Sequence, residues 1–372
     1  GRELAVPRTV SALAALAFVT VPVLFRQIGT TKIDIPFTFL FAALVFFLIR
    51  YLKRQYLSDL VFFSAAAGLF VGMRYLGVPF LALPALAILV SFVIQFIKRA
   101  TRRQAIAHLA VFLVITAALG GFWYFRNLAL TGNPVFPTPV RVAGIEIFPG
   151  LRPDFGVELS SLSLLAQSAQ LNKTMLLREF FKETGLLFAA LAVFLPMLAI
   201  AFVLAWREQR LERRILFGSL LVAVPIYFFF YVASPFTAIH FHQNIRYALP
   251  ALFVGTLAVM VTVRAAAPGR LVAWYAAMIL AAAIVFNLRL MWAYPQPTFI
   301  LGVAPGTAAG HRDEFYRRLN AFYGGSTPAL NAMAWADEHL SVQAKIAYGG
   351  FDFHYPLYGP ALRRDVDYAI TR

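Results

Sequence analysis

Apolar residues in this chain come in long blocks, separated by short polar connections of two alternating kinds. Nine blocks are legible, at 10–25, 35–52, 60–73, 76–97, 105–125, 185–206, 215–233, 248–264 and 271–292. About 20 apolar residues in a helix cover the hydrocarbon thickness of a bilayer. The pattern therefore predicts an all-α polytopic membrane protein with about nine transmembrane helices. The blocks at 60–73 and 248–264 are short for a span and are expected to extend into their flanks or to lie where neighbours cover them.

Every second connection is short and basic. Arg50, Lys53 and Arg54 follow the second block, Lys98, Arg99, Arg102 and Arg103 the fourth, and Arg207, Arg210, Arg213 and Arg214 the sixth; Arg264 and Arg270 bracket the turn between the eighth and ninth. If the helices alternate, all of these lie on one side, with Arg2 and Arg8. An excess of Lys and Arg in short loops marks the cytoplasmic side. The expected topology has a cytoplasmic amino terminus and an extracytoplasmic tail after Tyr294.

Composition agrees. Of the 372 residues, 60% are hydrophobic, and the mean hydropathy is +0.72, whereas a soluble domain is nearer half apolar. The formal net charge of +16 would suggest a nucleic-acid partner if it formed a patch. It is instead divided among the loops between spans, so no nucleic acid is expected. With no cysteine, disulfides, thiol nucleophiles and Cys-ligated zinc are excluded. The chain opens on Gly1 and carries no signal peptide with an n-region and cleavage site; it is expected to begin inside a longer protein.

The expected domains are a transmembrane bundle over 1–292 and an extracytoplasmic carboxy-terminal domain over 293–372. Within the first, residues 126–184 form a long external loop. Pro134, Pro137, Pro139, Pro149 and Pro153 predict an irregular or extended first half. In the second half Leu162, Leu165, Ala169, Leu176 and Phe180 fall near one helical face, which suits a helix lying in the interface plane. In the tail, Ser326-Thr327-Pro328 precedes an expected helix at 329–340. Strands are expected at 343–348 and 366–371. That makes a small α/β element, and one expected to be incomplete because the chain stops directly after the second strand.

The candidate chemistry lies on the expected outer face. Asp34, in Lys32-Ile33-Asp34-Ile35-Pro36, opens the second span. As Asp before a helix it reads as an N-cap; as a carboxylate bordering hydrocarbon it reads as a cavity group that needs a partner or water. Arg74-Tyr75, Arg126-Asn127 and Arg246-Tyr247 put three arginines on the face where the positive-inside bias does not call for them. They either anchor helix ends at headgroup phosphates or bind an anion, to which guanidinium is suited. His240 and His242 would point the same way in a strand, as a metal-ligand pair does, but no third ligand is near in sequence and a polar interfacial lip is the simpler reading. Asp365-Val366-Asp367 has the D-x-D spacing of metal-binding nucleotide-sugar enzymes, a weak signal alone. His108 reads as a packing residue near the inner end of the fifth block. Phosphate-loop, nucleophile-elbow and H-E-x-x-H motifs are absent from the sequence.

The segment Trp123-Tyr124-Phe125-Arg126-Asn127-Leu128-Ala129-Leu130-Thr131-Gly132-Asn133-Pro134-Val135-Phe136-Pro137 resembles the W-Y-x-R-N-x-x-x-T-G-N-P-V-x-P stretch of bacterial GT-C-type membrane glycosyltransferases, relatives of protein O-mannosyltransferases and of the aminoarabinose transferases of lipid A. Gly68-Leu69-Phe70-Val71-Gly72-Met73-Arg74-Tyr75 is similar to their G-L-x-x-G-x-[KR]-Y, Arg246-Tyr247-Ala248-Leu249-Pro250 to their R-Y-x-L-P, and Asp34 opens a Phe/Leu-rich span as theirs does. A tail with a helix near Trp335 and a strand at Lys345–Tyr348 fits as well.

The resemblance implies a GT-C-like bundle in a bacterial inner (plasma) membrane. It implies transfer of a sugar from a polyprenyl-phosphate donor to an acceptor hydroxyl at the extracytoplasmic face, with inversion. The acceptor would be a glycan, a lipid or a protein, and membrane lipids would be partners throughout. Arg74, Arg126 and Arg246 would bind the donor phosphate. Asp34 matches a supporting acid; the family's main base lies in an earlier external loop, expected upstream of this sequence. Lys32, Tyr75, Asn127, His240, His242 and Tyr247 are further cavity candidates. No cofactor is implied with certainty, and a divalent cation stays open. Two other readings share these features: a transporter or flippase of a lipid-linked sugar, and a non-catalytic membrane protein of envelope biogenesis. Paired broken helices and internal pseudo-symmetry, frequent in transporters, are not seen in the sequence.

Overall fold

Each apolar block folds as helix. In order these are α1 (Arg8–Val19) with the single-turn α2 (Pro22–Phe25), α3 (Asp34–Arg54), α4 (Leu57–Met73), α5 (Gly77–Ile97), α6 (Arg102–Gly120) followed by α7 (Phe122–Thr131), α8 (Leu186–Arg207), α9 (Leu211–Ala233), α10 (Leu249–Ala266) and α11 (Arg270–Ala293). The computed structural model describes residues 6–25, 33–98, 101–136, 139–142, 145–150, 180–207, 211–233, 245–266 and 270–293, and in the tail 332, 335–336, 338–341, 343–348 and 365–368.

Among the described residues five stretches are long and apolar enough to cross a membrane: Asp34–Arg54, Gly77–Ile97, Arg102–Gly120, Leu186–Leu204 and Ile245–Val263. Four shorter apolar helices accompany them, Arg8–Val19, Leu57–Met73, Phe217–Val232 and Trp274–Leu290. The fold is that of an all-α polytopic membrane protein.

The two short blocks are covered by neighbours. α4 lies between α3 and α6 and makes the most extensive helix contacts with both. Gly68 and Gly72, one turn apart, allow the approach to α6. A Cβ on Gly68 would lie 2.9 Å from the Thr116 carbonyl oxygen, and one on Gly72 3.0 Å from the Gly120 Cα. Lipid tails are as apolar as Leu, so helices in a bilayer associate through such close backbone packing rather than through the hydrophobic effect. α10 is the interior helix. Of the stretch Ile245–Val263 78% is buried, against 22–28% for the four other long apolar stretches. A helix enclosed by protein need not match the bilayer thickness by itself.

α8, α9 and α10 pack on one another; α10 also touches α1 and α3, and α9 touches α5. The groups join around Phe41, whose ring lies 5.4 Å from Phe70, 6.1 Å from Phe80, 5.6 Å from Tyr227 and 6.1 Å from Phe253, centroid to centroid. The buried Tyr227 hydroxyl donates to the Phe80 carbonyl at 3.0 Å, as a phenol enclosed in an apolar core must.

One expectation needs correcting. The block at 105–125 is not a single helix, and the chain is not irregular from 126. The helix breaks at Gly121 and resumes as α7 to Thr131, where Gly132 at φ 72° ends it in the left-handed conformation that glycine adopts without strain. Two antiparallel strands follow, β1 (Val140–Val142) and β2 (Ile145–Phe148). The expected interfacial helix falls mostly on 151–179, outside the described residues.

Contacts divide the chain into Gly1–Leu290 and Met291–Arg372. In the second unit β3 (Lys345–Tyr348) pairs in parallel with β4 (Asp365–Tyr368), with Lys345 opposite Asp365 and Ala347 opposite Asp367. The expected helix at 329–340 is helical wherever it is described up to His339. There the His339 ring stacks on Trp335 at 4.8 Å.

Candidate functional site

Three segments distant in sequence converge on Asp34. The residue opens α3, after Ile33 in the N-cap position, and is only 1% exposed. Its backbone carbonyl accepts a 2.7 Å hydrogen bond from the Thr38 hydroxyl. The carboxylate does not act as a cap, which corrects the simpler reading. It turns into the bundle, where Oδ1 accepts a hydrogen bond from Arg74 Nη1 at 2.6 Å and Oδ2 lies 3.3 Å from Arg246 Nε. Arg74 follows the last turn of α4 in extended conformation. Arg246 lies in the 3-10 turn Ile245–Ala248 that leads into α10.

Tyr247 joins the two cations. Its ring lies 5.2 Å from the Arg74 guanidinium carbon and 5.1 Å from that of Arg246. Its hydroxyl accepts a hydrogen bond from Arg246 Nη2 at 3.3 Å. The sum of formal charges is uneven, with two guanidiniums around one carboxylate. The Arg246 ion pair lacks hydrogen-bond alignment, and among the described residues Arg246 Nη1 is buried without a hydrogen-bond partner. A buried guanidinium donor left unpaired is costly. An anion seated here would remove that cost and balance the charge.

Beside Arg74 opens a cavity of about 350 Å³, lined by residues of the α4 end together with Trp123 and Tyr124 of α7. The wall is held by the residues of the quoted segment. The Tyr75 hydroxyl donates to the Phe136 carbonyl at 2.9 Å, and Asn127 Nδ2 donates to the Tyr75 hydroxyl at 2.5 Å. Asn133, fully buried, accepts from the Val135 amide at 2.9 Å and donates to the Pro149 carbonyl at 2.8 Å. The Thr131 hydroxyl donates to the Asn127 carbonyl at 2.8 Å. So Asn127, Thr131, Gly132 and Asn133 terminate α7 and pin the loop behind Tyr75.

The candidates thus divide. Asp34, Arg74, Arg246 and Tyr247 form one group; Tyr75 and Asn127 form the adjoining wall. Arg126 is exposed and lies over the Trp123 ring at 5.6 Å, outside the Asp34 group. Lys32, His240 and His242 fall outside the described residues, as do the Asp365 and Asp367 side chains. Among the described residues no group of three His, Asp or Glu could hold a metal ion.

Sequence reasoning passed over Trp123 and Tyr124 as site residues, although they head the quoted segment. It also passed over two further buried carboxylates, Asp59 and Glu183, each 1% exposed. A signal for Asp59 was present: an acid in the first turn of a helix, just across a tight turn from Arg50.

Residues 3–123 match the family model of dolichyl-phosphate-mannose-protein mannosyltransferase, about a third of the chain. No curated protein matches the chain, and no solved structure does. The matched stretch carries Asp34, Arg74 and Tyr75 and stops short of Arg126 and Arg246. Over these residues the chain is similar to a family of membrane glycosyltransferases of the mannosyltransferase kind, and its fold is that of an all-α polytopic membrane protein.

Proposed function

We propose that the Asp34–Arg74–Arg246 group binds the phosphate of a polyprenyl-phosphate sugar, and that the protein transfers this sugar to an acceptor hydroxyl at the extracytoplasmic face. The observation that carries the reading is the surplus positive charge at one end of the bundle, with a buried Arg246 donor that no described residue satisfies. In the reaction the acceptor oxygen attacks the anomeric carbon from the face opposite the phosphate. The bond between that carbon and the phosphate oxygen breaks, the configuration inverts, the phosphate departs with the bonding pair, and the proton lost by the acceptor hydroxyl passes to solvent or to the released phosphate. Preorganised cations in a site of low dielectric stabilise such developing charge far better than water does. Asp34 supports the step as a positioning residue: its two oxygens hold Arg74 and Arg246 at one point. The chain's place in the membrane follows the same logic, because a lipid-linked donor reaches a site at the end of a helical bundle by lateral diffusion.

The test is transfer from labelled polyprenyl-phosphate mannose by the full-length protein in proteoliposomes. Arg74→Ala and Arg246→Ala are each expected to lower transfer roughly 10²–10³-fold, the cost of removing one preorganised donor, with membrane insertion and detergent monodispersity retained. Unchanged transfer in both variants would overturn the reading.

A further inference from the structure

We propose that α7 lies in the plane of the membrane, seated among the phospholipids of the leaflet at the Arg74 end of the bundle, with Arg126 against their headgroup phosphates. α6 has 19 residues and is long and apolar enough to cross a bilayer by itself. The 10 residues of α7 follow it after the break at Gly121. They are therefore not needed to span the hydrocarbon. Standing upright, they would carry about 15 Å of further helix beyond it.

Most of the α7 surface is apolar and uncovered. Phe122, Trp123, Phe125, Leu128 and Leu130 are each 44–66% exposed. Within α7 only Asn127 is buried, and it faces the protein. Its Nδ2 donates to the Tyr75 hydroxyl, and on the same side the Tyr124 hydroxyl donates to the Val71 carbonyl at 2.9 Å. Left in water, the five exposed side chains would form an apolar patch of the kind that marks a contact surface. The neighbouring elements indicate lipid as the contact. Leu113, Val114 and Leu119 are exposed along α6, and Phe122 continues that surface past Gly121. At the other end, Asn133 donates to the Pro149 carbonyl and so ties α7 to the end of β2. There Ile145 and Ile147, two residues apart and hence on one face of the strand, are exposed as well.

Charge fixes the level at which the helix rests. Arg126 is exposed, and its guanidinium carbon lies 5.6 Å from the Trp123 ring centroid. A guanidinium beside an indole suits the headgroup layer, where the ring is half wet and phosphate oxygens accept from the cation. The adjoining stripe of Phe122, Phe125 and Ala129, at spacings of three and four residues, is wholly apolar and suits acyl chains. A helix with these two sides rests at the boundary between headgroups and chains. Through Asn127 and Tyr124 the leaflet then sets the position of the segment beside Arg74. The seat does not depend on which ligand Arg74 and Arg246 take.

This chain has no cysteine, so single nitroxide labels can be placed at Phe122→Cys or Ala129→Cys in the full-length protein, any cysteine outside this sequence being changed to Ser. In proteoliposomes of phosphatidylethanolamine and phosphatidylglycerol, access of oxygen and of a water-soluble nickel chelate reports the depth of each label. The two positions lie about two turns apart on one face. An in-plane helix puts both labels at equal depth, open to oxygen and shielded from nickel. An upright helix would put the label at 129 about 10 Å nearer to water than the one at 122, which overturns the proposal. Labels closed to both reagents would mean a protein partner and overturn it too. Arg126→Glu sets a carboxylate against the phosphates and is expected to raise nickel access at 129 several-fold, whereas Arg126→Lys is expected to keep the wild-type depth. Unchanged nickel access in Arg126→Glu, or an equal rise in Arg126→Lys, overturns the headgroup contact.

Discussion

Asp34 and Asp59 stand at opposite ends of the α3–α4 pair, equally buried and each ion-paired to arginine, yet their surroundings are built differently. Asp59 is ion-paired with one guanidinium, Arg50 Nε lying 2.9 Å from its Oδ1 without hydrogen-bond alignment. Arg50 also lies against the Phe46 and Phe47 rings at 5.6 and 5.9 Å. Nearby polar groups bond to one another, with the Tyr51 hydroxyl 2.7 Å from His108 Nδ1 and Gln95 Nε2 donating to Tyr51 and to Gln55 at 3.2 and 2.5 Å, although among the described residues Asp59 Oδ2 and Gln95 Oε1 are buried without a hydrogen-bond partner. The Arg50–Asp59 pair itself is one guanidinium to one carboxylate. At Asp34 two guanidiniums surround one carboxylate, and a cavity opens beside one of them. Burial and pairing are thus common to both ends. What separates a structural pair from a candidate binding site is the charge balance and the adjoining space.

That contrast can be broken by exchanging the pairs. Asp59→Asn is expected to cost up to about 3 kcal/mol of stability, because it strands a largely buried guanidinium, while transfer per folded molecule stays unchanged. The double replacement Arg50→Met with Asp59→Leu should recover most of that loss, since an apolar pair of similar volume avoids the desolvation cost. Thermal unfolding in detergent beside transfer assays would decide. Lost turnover in folded Arg50→Met, Asp59→Leu protein would show that both ends serve the reaction.

A smaller effect tests the frame between the two ends. Gly68→Ala is expected to cost about 1–3 kcal/mol, because its Cβ meets the α6 backbone rather than a side chain that can swing aside. The readout is a lower unfolding temperature with an unaltered preference among donor lipids. A variant as stable as the wild type would mean that α4 and α6 do not rest on this contact.

The smallest effect sharpens the comparison within one end. Arg126→Ala, at an exposed position outside the Asp34 group, is expected to change transfer by less than about threefold, as exposed ion contacts are worth little. A loss as large as that of Arg246→Ala would bring Arg126 into the phosphate site.

Much of the fold was legible because membrane spanning is a local requirement. The blocks became helices, with those at 10–25 and 105–125 each broken into two, and β3 lay within its expected range. His108 proved the packing residue it was read as, engaged with Tyr51. The misses have a common cause. Asp34 fits a helix start whether its carboxylate caps the helix or turns inward, and only the arrival of Arg74 and Arg246 decides between them. Arg126 sits in a sequence setting much like that of Arg74, a charged residue beside an aromatic or an amide at the end of an apolar block, so local pattern could not separate them. α7 ran past 126 because a glycine break can restart a helix as well as end one.

Sequence by itself determined the helices and the all-α membrane class, because hydrophobic length and composition act over one helix at a time. Only the tertiary structure decided which charges meet. Asp34, Arg74 and Arg246 sit on three segments far apart in the chain, and their convergence depends on how α3, α4 and α10 pack, with Gly68 and Gly72 setting how closely α4 approaches α6. Electrostatic pairing depends on distance in space, and distance in space follows from packing.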